Sequence, residues 1–331
     1  MPASEFDLIA AITERLPAAG DRVRLASGDD AAVVEPDTAT AVSVDAIVDG
    51  VHFTLDAFGA PAVGRKALAA GLSDLAAMGA VPGEAYVVVG APAELPDEEL
   101  LGIADGLAEV ATREGVSVVG GDLVASPALV VSVTAIGYEP AGGSLVSRSG
   151  ARPGDRLAVT GELGGAAAAV TLLDGSAGSP AISPKLRDSL LARQLDPRPR
   201  LGEGRALAAA GATAMIDVSD GLGADAGHLA RASRCRLEID LERVPISAGV
   251  AEVAGGDGAA LELAASGGED FELLVALPPD SVPEAESGID AGLTEIGYAS
   301  EGEGVTLRLP GGGEIEPRGF DQRRGSLSGS G

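Results

Sequence analysis

Residues 41–53 read Ala41-Val42-Ser43-Val44-Asp45-Ala46-Ile47-Val48-Asp49-Gly50-Val51-His52-Phe53. The run Ala41–Val44 has the apolar, β-branched character of a strand, and Asp45 follows it directly. The spacing predicts a strand that ends at Asp45 and hands its carboxylate to the loop carrying His52. On the N-terminal side, 31–34 reads as a second strand, set apart by the turn-former Pro36-Asp37. Before it, Phe6, Leu8, Ile9, Ile12 and Leu16 stand at helical spacing and predict a helix over 4–17. On the C-terminal side, Pro61 and Gly79 bracket a helix over 61–79. A strand near 84–90, a helix near 96–114 and strands near 116–120 and 128–138 complete this half. Helices inserted among strands predict a layered α/β domain.

The stretch Glu139 to Gly154 is rich in Gly, Ser and Pro, and beyond it the pattern restarts. Strands at 156–160, 214–218, 236–241 and 271–277 alternate with helices at 163–174, 184–195, 199–211, 222–233 and 258–266. A chain of 331 residues suits two domains. We therefore expect a first domain over 1–140, a linker over 141–154, an α+β domain over 155–324 and a flexible Gly/Ser tail over 325–331.

Net charge is −27, from 50 acidic against 23 basic residues, which argues against a polyanionic nucleic-acid partner. Lys66 and Lys185 are the only lysines, and an acid-rich, lysine-poor chain suits a salt-rich setting where self-repulsion is screened. The apolar runs are strand-sized, far below the roughly 20 residues that cross a bilayer. The first 20 residues carry Glu5, Asp7 and Glu14 and lack a basic leader, so a cytoplasmic location is expected. Cys235 is the single cysteine and reads as a packed thiol, and two histidines exclude a histidine-rich metal centre.

Five acid-bearing motifs stand beside glycines or apolar runs: Gly28-Asp29-Asp30, Ser43-Val44-Asp45, Ser73-Asp74-Leu75, Gly120-Gly121-Asp122 and Asp217-Val218-Ser219-Asp220-Gly221. Each alone is also an ordinary turn signature. Together they offer the hard oxygen donors that magnesium takes, and magnesium ions in turn bridge and neutralise polyphosphate oxygens. Neither lysine follows a glycine, so a P-loop is excluded, and the His-Arg-Asp and Asp-Phe-Gly signatures of protein kinases are missing. Phosphate charge must then be met by metal ions, backbone amides and arginine, with Arg148 in Ser147-Arg148-Ser149-Gly150 as a candidate clamp.

Read in order, these motifs resemble the thiamine-monophosphate kinase family, of the superfamily that includes aminoimidazole ribonucleotide synthetase and selenophosphate synthetase. The resemblance runs from Glu5-Phe6-Asp7-Leu8-Ile9 through Lys66-Ala67-Leu68 and Leu72 to Ala80. It continues through Ser266-Gly267-Gly268-Glu269-Asp270-Phe271-Glu272-Leu273 to Gly319-Phe320-Asp321. It implies a two-domain aminoimidazole ribonucleotide synthetase-like fold, α/β then α+β, and a homodimer formed through the N-terminal sheets. It also implies ATP with several magnesium ions, and direct transfer of the γ-phosphoryl group to thiamine monophosphate without an enzyme nucleophile. The implied metal positions are Asp30, Ser43, Asp45, Asp74, Asp122, Asp217 and Asp220. Gly121, Asp122, Arg148 and Ser219 match nucleotide-contacting positions, and His52, Glu269, Asp270 and Phe320 match positions facing thiamine phosphate. One departure is Val44, where the family often carries a hydroxyl. The N-terminal reactive residue of selenophosphate synthetases and the glycine-rich opening of aminoimidazole ribonucleotide synthetases are absent here. A non-catalytic acidic metal-binding protein is the alternative from another class; it would ignore ATP.

Overall fold

With aromatics at 2%, the core is assembled from Ala, Val, Leu and Ile, and close backbone approach takes the place of large side chains. The computed structural model describes residues 11–12, 14–17, 20–25, 33–36, 38–176, 181–321 and 326–327. The helix expected over 4–17 therefore lies largely outside the described residues, as does Asp30. The chain divides into two compact units. One comprises Met1–Leu75, Ala80–Glu139 and Leu195–Pro197, the other Ala76–Gly79, Pro140–Gln194 and Arg198–Gly331. No helix among the described residues is long and apolar enough to cross a membrane.

The elements of the first stretch are β1 (Val23–Leu25), β2 (Val33–Val34), β3 (Thr40–Val48), α1 (Leu55–Phe58), α2 (Ala60–Ala77), β4 (Val81–Ala91), α3 (Asp97–Glu114), β5 (Ser117–Ala125) and β6 (Val130–Tyr138). Four strands form a sheet in the order β3-β6-β4-β5, with β4 and β5 parallel and the other pairs antiparallel. Helix α2 covers one face: a Cβ on Gly71 would touch Val133 and Ala135 of β6. Helices α2 and α3 meet backbone to backbone, since a Cβ on Gly106 would lie 1.9 Å from the Pro61 carbonyl oxygen. The other face of the sheet presents Val42, Val44, Val88 and Val124, all exposed.

The second stretch holds β7 (Arg156–Thr160), α4 (Gly165–Leu173), α5 (Pro184–Leu195), α6 (Leu201–Ala209), β8 (Ala214–Val218), α7 (Leu222–Ser233), β9 (Arg236–Asp240), α8 (Val250–Ala254), α9 (Asp257–Ser266), β10 (Glu272–Leu277), α10 (Val282–Ser287), β11 (Leu293–Ser300), β12 (Gly304–Arg308), β13 (Glu314–Ile315), β14 (Phe320–Asp321) and β15 (Ser326–Leu327). A seven-stranded sheet runs β13-β12-β9-β11-β7-β10-β8, antiparallel throughout except for β12 beside β9. Its core joins Leu157, Ile216, Leu237 and Leu274 of the strands to Leu222, Ala226 and Leu229 of α7. Of the segment expected as a tail, Ser326 and Leu327 are described, and they pair with Phe320 and Asp321.

Candidate functional site

In the first unit the strand carrying Asp45 extends to Val48, because Ile47 continues the alternation and is buried. Asp45 therefore sits inside the strand, not at its end. Side chains alternate between faces along a strand, so Ser43 and Asp45 share the face covered by α2. There Ser43 Oγ donates to the Asp74 carboxylate. Asp45 Oδ1 accepts the Ala46 N–H at 2.7 Å, and its carbonyl accepts Ser132 Oγ at 3.0 Å. Val44 points to the opposite, exposed face at 69% accessibility, so its missing hydroxyl is not lost from the Ser43–Asp45 side.

Gly120, Gly121 and Asp122 likewise lie within β5 rather than after it. A bulge at Val119 shifts the pairing so that Gly121 aligns with Val87 and Asp122 with Val88. A side chain at Gly121 would meet the Val87 carbonyl oxygen at 2.0 Å, which only glycine avoids. Through Val87 and Val133, Gly121 shares a rung with Asp45, whereas Asp122 stands one rung on, on the exposed face. The structure thus gathers Ser43, Asp45 and Asp74 on one side and places Asp122 across the sheet from them.

His52 follows β3. Its Nδ1 accepts the Val48 N–H at 3.1 Å, so the neutral ring carries its proton on Nε2 as a donor. Lys66 Nζ donates to the His52 carbonyl at 2.7 Å and lies 5.2 Å from the Phe58 ring centroid. Sequence reasoning gave Lys66 no task. Its signal was one of only two lysines in the chain, set in a helix rich in Ala and Leu.

In the second unit, the acid-bearing loop joins buried strand β8 to α7. Asp217 is buried on β8. Asp225, in the first turn of α7, receives the N–H groups of Ser219, Asp220 and Gly221 on one oxygen, each at 3.0 Å. Burial, then the charges of Asp217 and Asp220, push the Asp225 carboxyl well above the usual carboxylate range, against the pull of those amides. Ser219, Asp220 and Gly221 are thereby locked by a residue that the motif reading did not include.

Three further backbone bonds tie the segments carrying the candidates Glu269, Asp270 and Phe320 to this loop. The N–H groups of Glu269, Phe271 and Phe320 donate to the carbonyls of Ser219, Val218 and Asp220, at 2.8, 3.0 and 2.8 Å. Glu269 and Phe271 hold left-handed φ values of 68° and 50°. A side chain at Gly268 would strike the Ser219 carbonyl oxygen at 2.4 Å. Asp270 turns inward: it is buried and accepts the Gly164 and Ala166 N–H groups at 2.7 and 3.0 Å. Burial pushes its carboxyl up to about 7. That geometry gives Asp270 the task of anchoring the loop to α4 instead of facing a ligand. Gln194 Nε2 donates to Glu269 Oε2 at 2.8 Å. The fully buried Glu272 takes Arg200 at 2.6 and 2.7 Å, Arg193 at 3.1 Å and Thr160 at 2.7 Å.

The Arg148 carbonyl accepts Ser233 Oγ at 3.0 Å, and that oxygen receives the Gly150 and Ala151 N–H groups, both at 3.1 Å. Burial, then Arg148 and Arg231, hold the half-buried His228 below its ordinary range, opposed by Asp220. Cys235 is buried, and burial, then Asp155, raise its thiol, as a packing role requires.

Among the described residues no three His, Cys, Asp or Glu side chains are grouped to hold a metal ion by themselves. The donor chemistry is nevertheless that of a hard divalent cation: carboxylates and a hydroxyl in the first unit, and mutually repelling carboxylates in the second. Such donors are ordinarily completed by water and substrate phosphates.

Residues 28–138 match the N-terminal domain, and 152–310 the C-terminal domain, of AIR synthase related proteins. The chain is 38% identical over 324 residues to a thiamine-monophosphate kinase of Caulobacter vibrioides, covering 94% of this chain and 88% of that protein. It is similar to the crystal structure of a thiamine-monophosphate kinase from Stenotrophomonas maltophilia K279a, with a TM-score of 0.80 and 35% identity over 93% of this chain and 97% of that one. A structure described as AaThiL complexed with AMPPCP and TMP aligns with a TM-score of 0.75 and 31% identity, covering 95% and 96% of the two chains. With both domain models matched in order and relatives aligned over nearly its full length, the chain belongs to the thiamine-monophosphate kinase family.

Proposed function

We propose that this chain transfers the γ-phosphoryl group of ATP to thiamine monophosphate, forming thiamine diphosphate and ADP. The observation that carries the reading is a full-length likeness to thiamine-monophosphate kinases, one of them described with AMPPCP and TMP bound. The local geometry supports it. Backbone bonds join the Glu269 and Phe320 segments to the Asp217–Gly221 loop, so acceptor recognition and phosphate handling move together.

Magnesium is the proposed metal. Its ions would take oxygens from the Ser43, Asp45 and Asp74 group, from Asp30, from Asp122 on the opposite face of the sheet and, in the second unit, from Asp217 and Asp220. When bound, it supplies charge neutralisation for the phosphate oxygens. The protein's own groups do the rest. Arg148, with Gly121 and the Ser219 segment, binds the nucleotide. His52 presents Nε2–H as a donor toward the acceptor. Glu269 and Phe320 offer a carboxylate and a ring to the cationic heterocycle. Asp270 positions Glu269 from behind. The acceptor is already an anionic oxygen, so positioning and charge compensation suffice and no side-chain nucleophile is needed.

A homodimer is part of this proposal, as is a cytoplasmic setting. Among the described residues, the face of the four-stranded sheet opposite α2 exposes Val42, Val44, Val88 and Val124, an apolar surface suited to a second copy. Sedimentation of a Val44→Lys variant should show dissociation, and an unchanged dimer would remove this face from the interface. The activity is tested by chromatography of products from ATP and each acceptor at low and high salt. Thiamine diphosphate should form from thiamine monophosphate and not from thiamine. Its absence, or a chemically competent phosphoenzyme from γ-labelled ATP, would overturn the reading.

A further inference from the structure

Three consecutive peptide N–H groups converge on one oxygen. Those of Ser219, Asp220 and Gly221 donate to Oδ2 of Asp225, each at 3.0 Å, and the Asp225 N–H donates back to the Gly221 carbonyl at 3.0 Å. Asp225 is 2% exposed and lies in the first turn of α7, so these bonds form away from water, where they are strongest.

The same three peptide units are held at their other ends. The carbonyls of Val218, Ser219 and Asp220 accept the N–H groups of Phe271, Glu269 and Phe320, at 3.0, 2.8 and 2.8 Å. A carbonyl and the N–H that follows it belong to one planar trans unit. Each plane is therefore pinned between Asp225 on its N–H and one of the segments carrying Glu269 and Phe320 on its carbonyl. Little slack surrounds them: a Cβ on Gly221 would lie 2.7 Å from the Ser266 carbonyl oxygen, and one on Gly319 would lie 2.6 Å from the Asp220 carbonyl oxygen. Moving the Asp225 oxygen would tilt all three planes, and with them the attachments of both segments.

We infer that Asp225 is a positioning residue that sets two parts of the site at once: the Ser219–Asp220 loop and, through it, the segments carrying Glu269 and Phe320. That these parts handle nucleotide and acceptor rests on the proposed activity. The task requires an acceptor atom at a fixed place, whereas a metal ligand would require the charge.

The test uses the full-length protein with two substitutions that separate place from charge. Asp225→Asn keeps an oxygen where the three N–H groups meet and removes the charge, whereas Asp225→Glu keeps the charge and carries the oxygen one methylene further. Hydrogen bonds to a neutral acceptor are roughly half as strong as those to a charged one, so Asp225→Asn should keep kcat/KM for ATP and for thiamine monophosphate within about ten-fold of the wild type. Asp225→Glu forfeits three hydrogen bonds together and should lower both values by about 100-fold or more. Amide exchange over residues 218–222 should stay slow in the first variant and quicken in the second. Should Asp225→Glu fail to fold, Asp225→Ala, which removes the acceptor, takes its place with the same losses expected. The inference is overturned if Asp225→Asn is the worse enzyme, since charge would then be what matters. It is overturned too if only one substrate is affected, or if both variants lose activity only in proportion to their unfolded fraction. A wild type unable to phosphorylate thiamine monophosphate would overturn the proposed activity, and the exchange pattern would still decide the positioning.

Discussion

Asp45 and Asp270 are both carboxylates beside glycine-rich motifs, yet their surroundings assign them opposite tasks. Asp45 lies on a half-buried rung of β3 with Oδ1 turned to its own strand, two residues from the Ser43–Asp74 bond. Replacing it by Asn keeps shape and removes charge. We expect kcat/KM to fall by about 100-fold or more, roughly 3 kcal/mol, with an unchanged melting temperature. A magnesium titration at fixed ATP checks this, and wild-type turnover at limiting magnesium would exclude Asp45 from the metal set. Asp270 is buried, and its pKa of about 7 stands above the roughly 3.9 of an unfolded chain. The folded state therefore holds a proton that the unfolded state releases between these values. Stability from this group falls as pH rises from about 4 to about 7 and is flat above, over a range of about 4 kcal/mol at most. Asp270→Asn cannot titrate, so the wild type should gain on the variant as pH is lowered through that window. Parallel melting curves from pH 5 to 8 would show that Asp270 is ionised throughout.

The pairing of α2 with α3 shows how a core poor in aromatics is held. Cβ atoms on Gly64 and Gly106 would lie 2.0 and 1.9 Å from backbone oxygens of the facing helix, so only glycine permits this approach. Gly106→Ala should cost about 2–3 kcal/mol, because the strain of overpacking exceeds the roughly 1 kcal/mol gained in helix propensity. Gly227, inside α7, faces open space, and Gly227→Ala should stabilise by about 0.5–1 kcal/mol. Denaturant midpoints for the two variants should move in opposite directions. Elements bounded by strong local signals, such as β7, β8 and α7, were legible in the sequence to the residue. Strands β3 and β5 read short, since Asp45 and Gly120-Gly121-Asp122 resemble strand ends. Both strands lie at edges of the four-stranded sheet, where a half-buried carboxylate or a glycine is tolerated within the strand. Helices α1, α8 and α10 span at most six residues, too few to show a period. The acidic candidates stand out in the sequence because the chemistry proposed for them is written in contiguous motifs. Lys66, Gln194 and Asp225 were not legible there, because each meets its motif only once the chain has folded and has no signature of its own.

For the whole molecule, a charge of −27 on 331 residues is the dominant electrostatic fact. The ion pairs among the described residues sit largely at the surface, where each contributes little, and over the whole sequence 50 acids outnumber 23 bases. Folding brings these charges closer than the expanded chain does, so repulsion penalises the native state more. Screening relieves that penalty: the Debye length shrinks from about 10 Å at 0.1 M to about 3 Å at 1 M. The melting temperature should therefore rise steadily between dilute buffer and molar KCl. Two other effects give the same sign and must be separated from it. Magnesium bound only by the native state also stabilises by mass action, so the series is run at constant free magnesium and repeated in chelator. Salts excluded from the surface strengthen apolar burial, so KCl is compared with a salt of a bulky monovalent cation at equal ionic strength. If screening is the cause, the two salts act alike and the gain saturates once the Debye length falls below the spacing between carboxylates. A melting temperature indifferent to salt would mean that the acid surplus is spaced widely enough to be harmless, and that the composition carries no adaptation to brine.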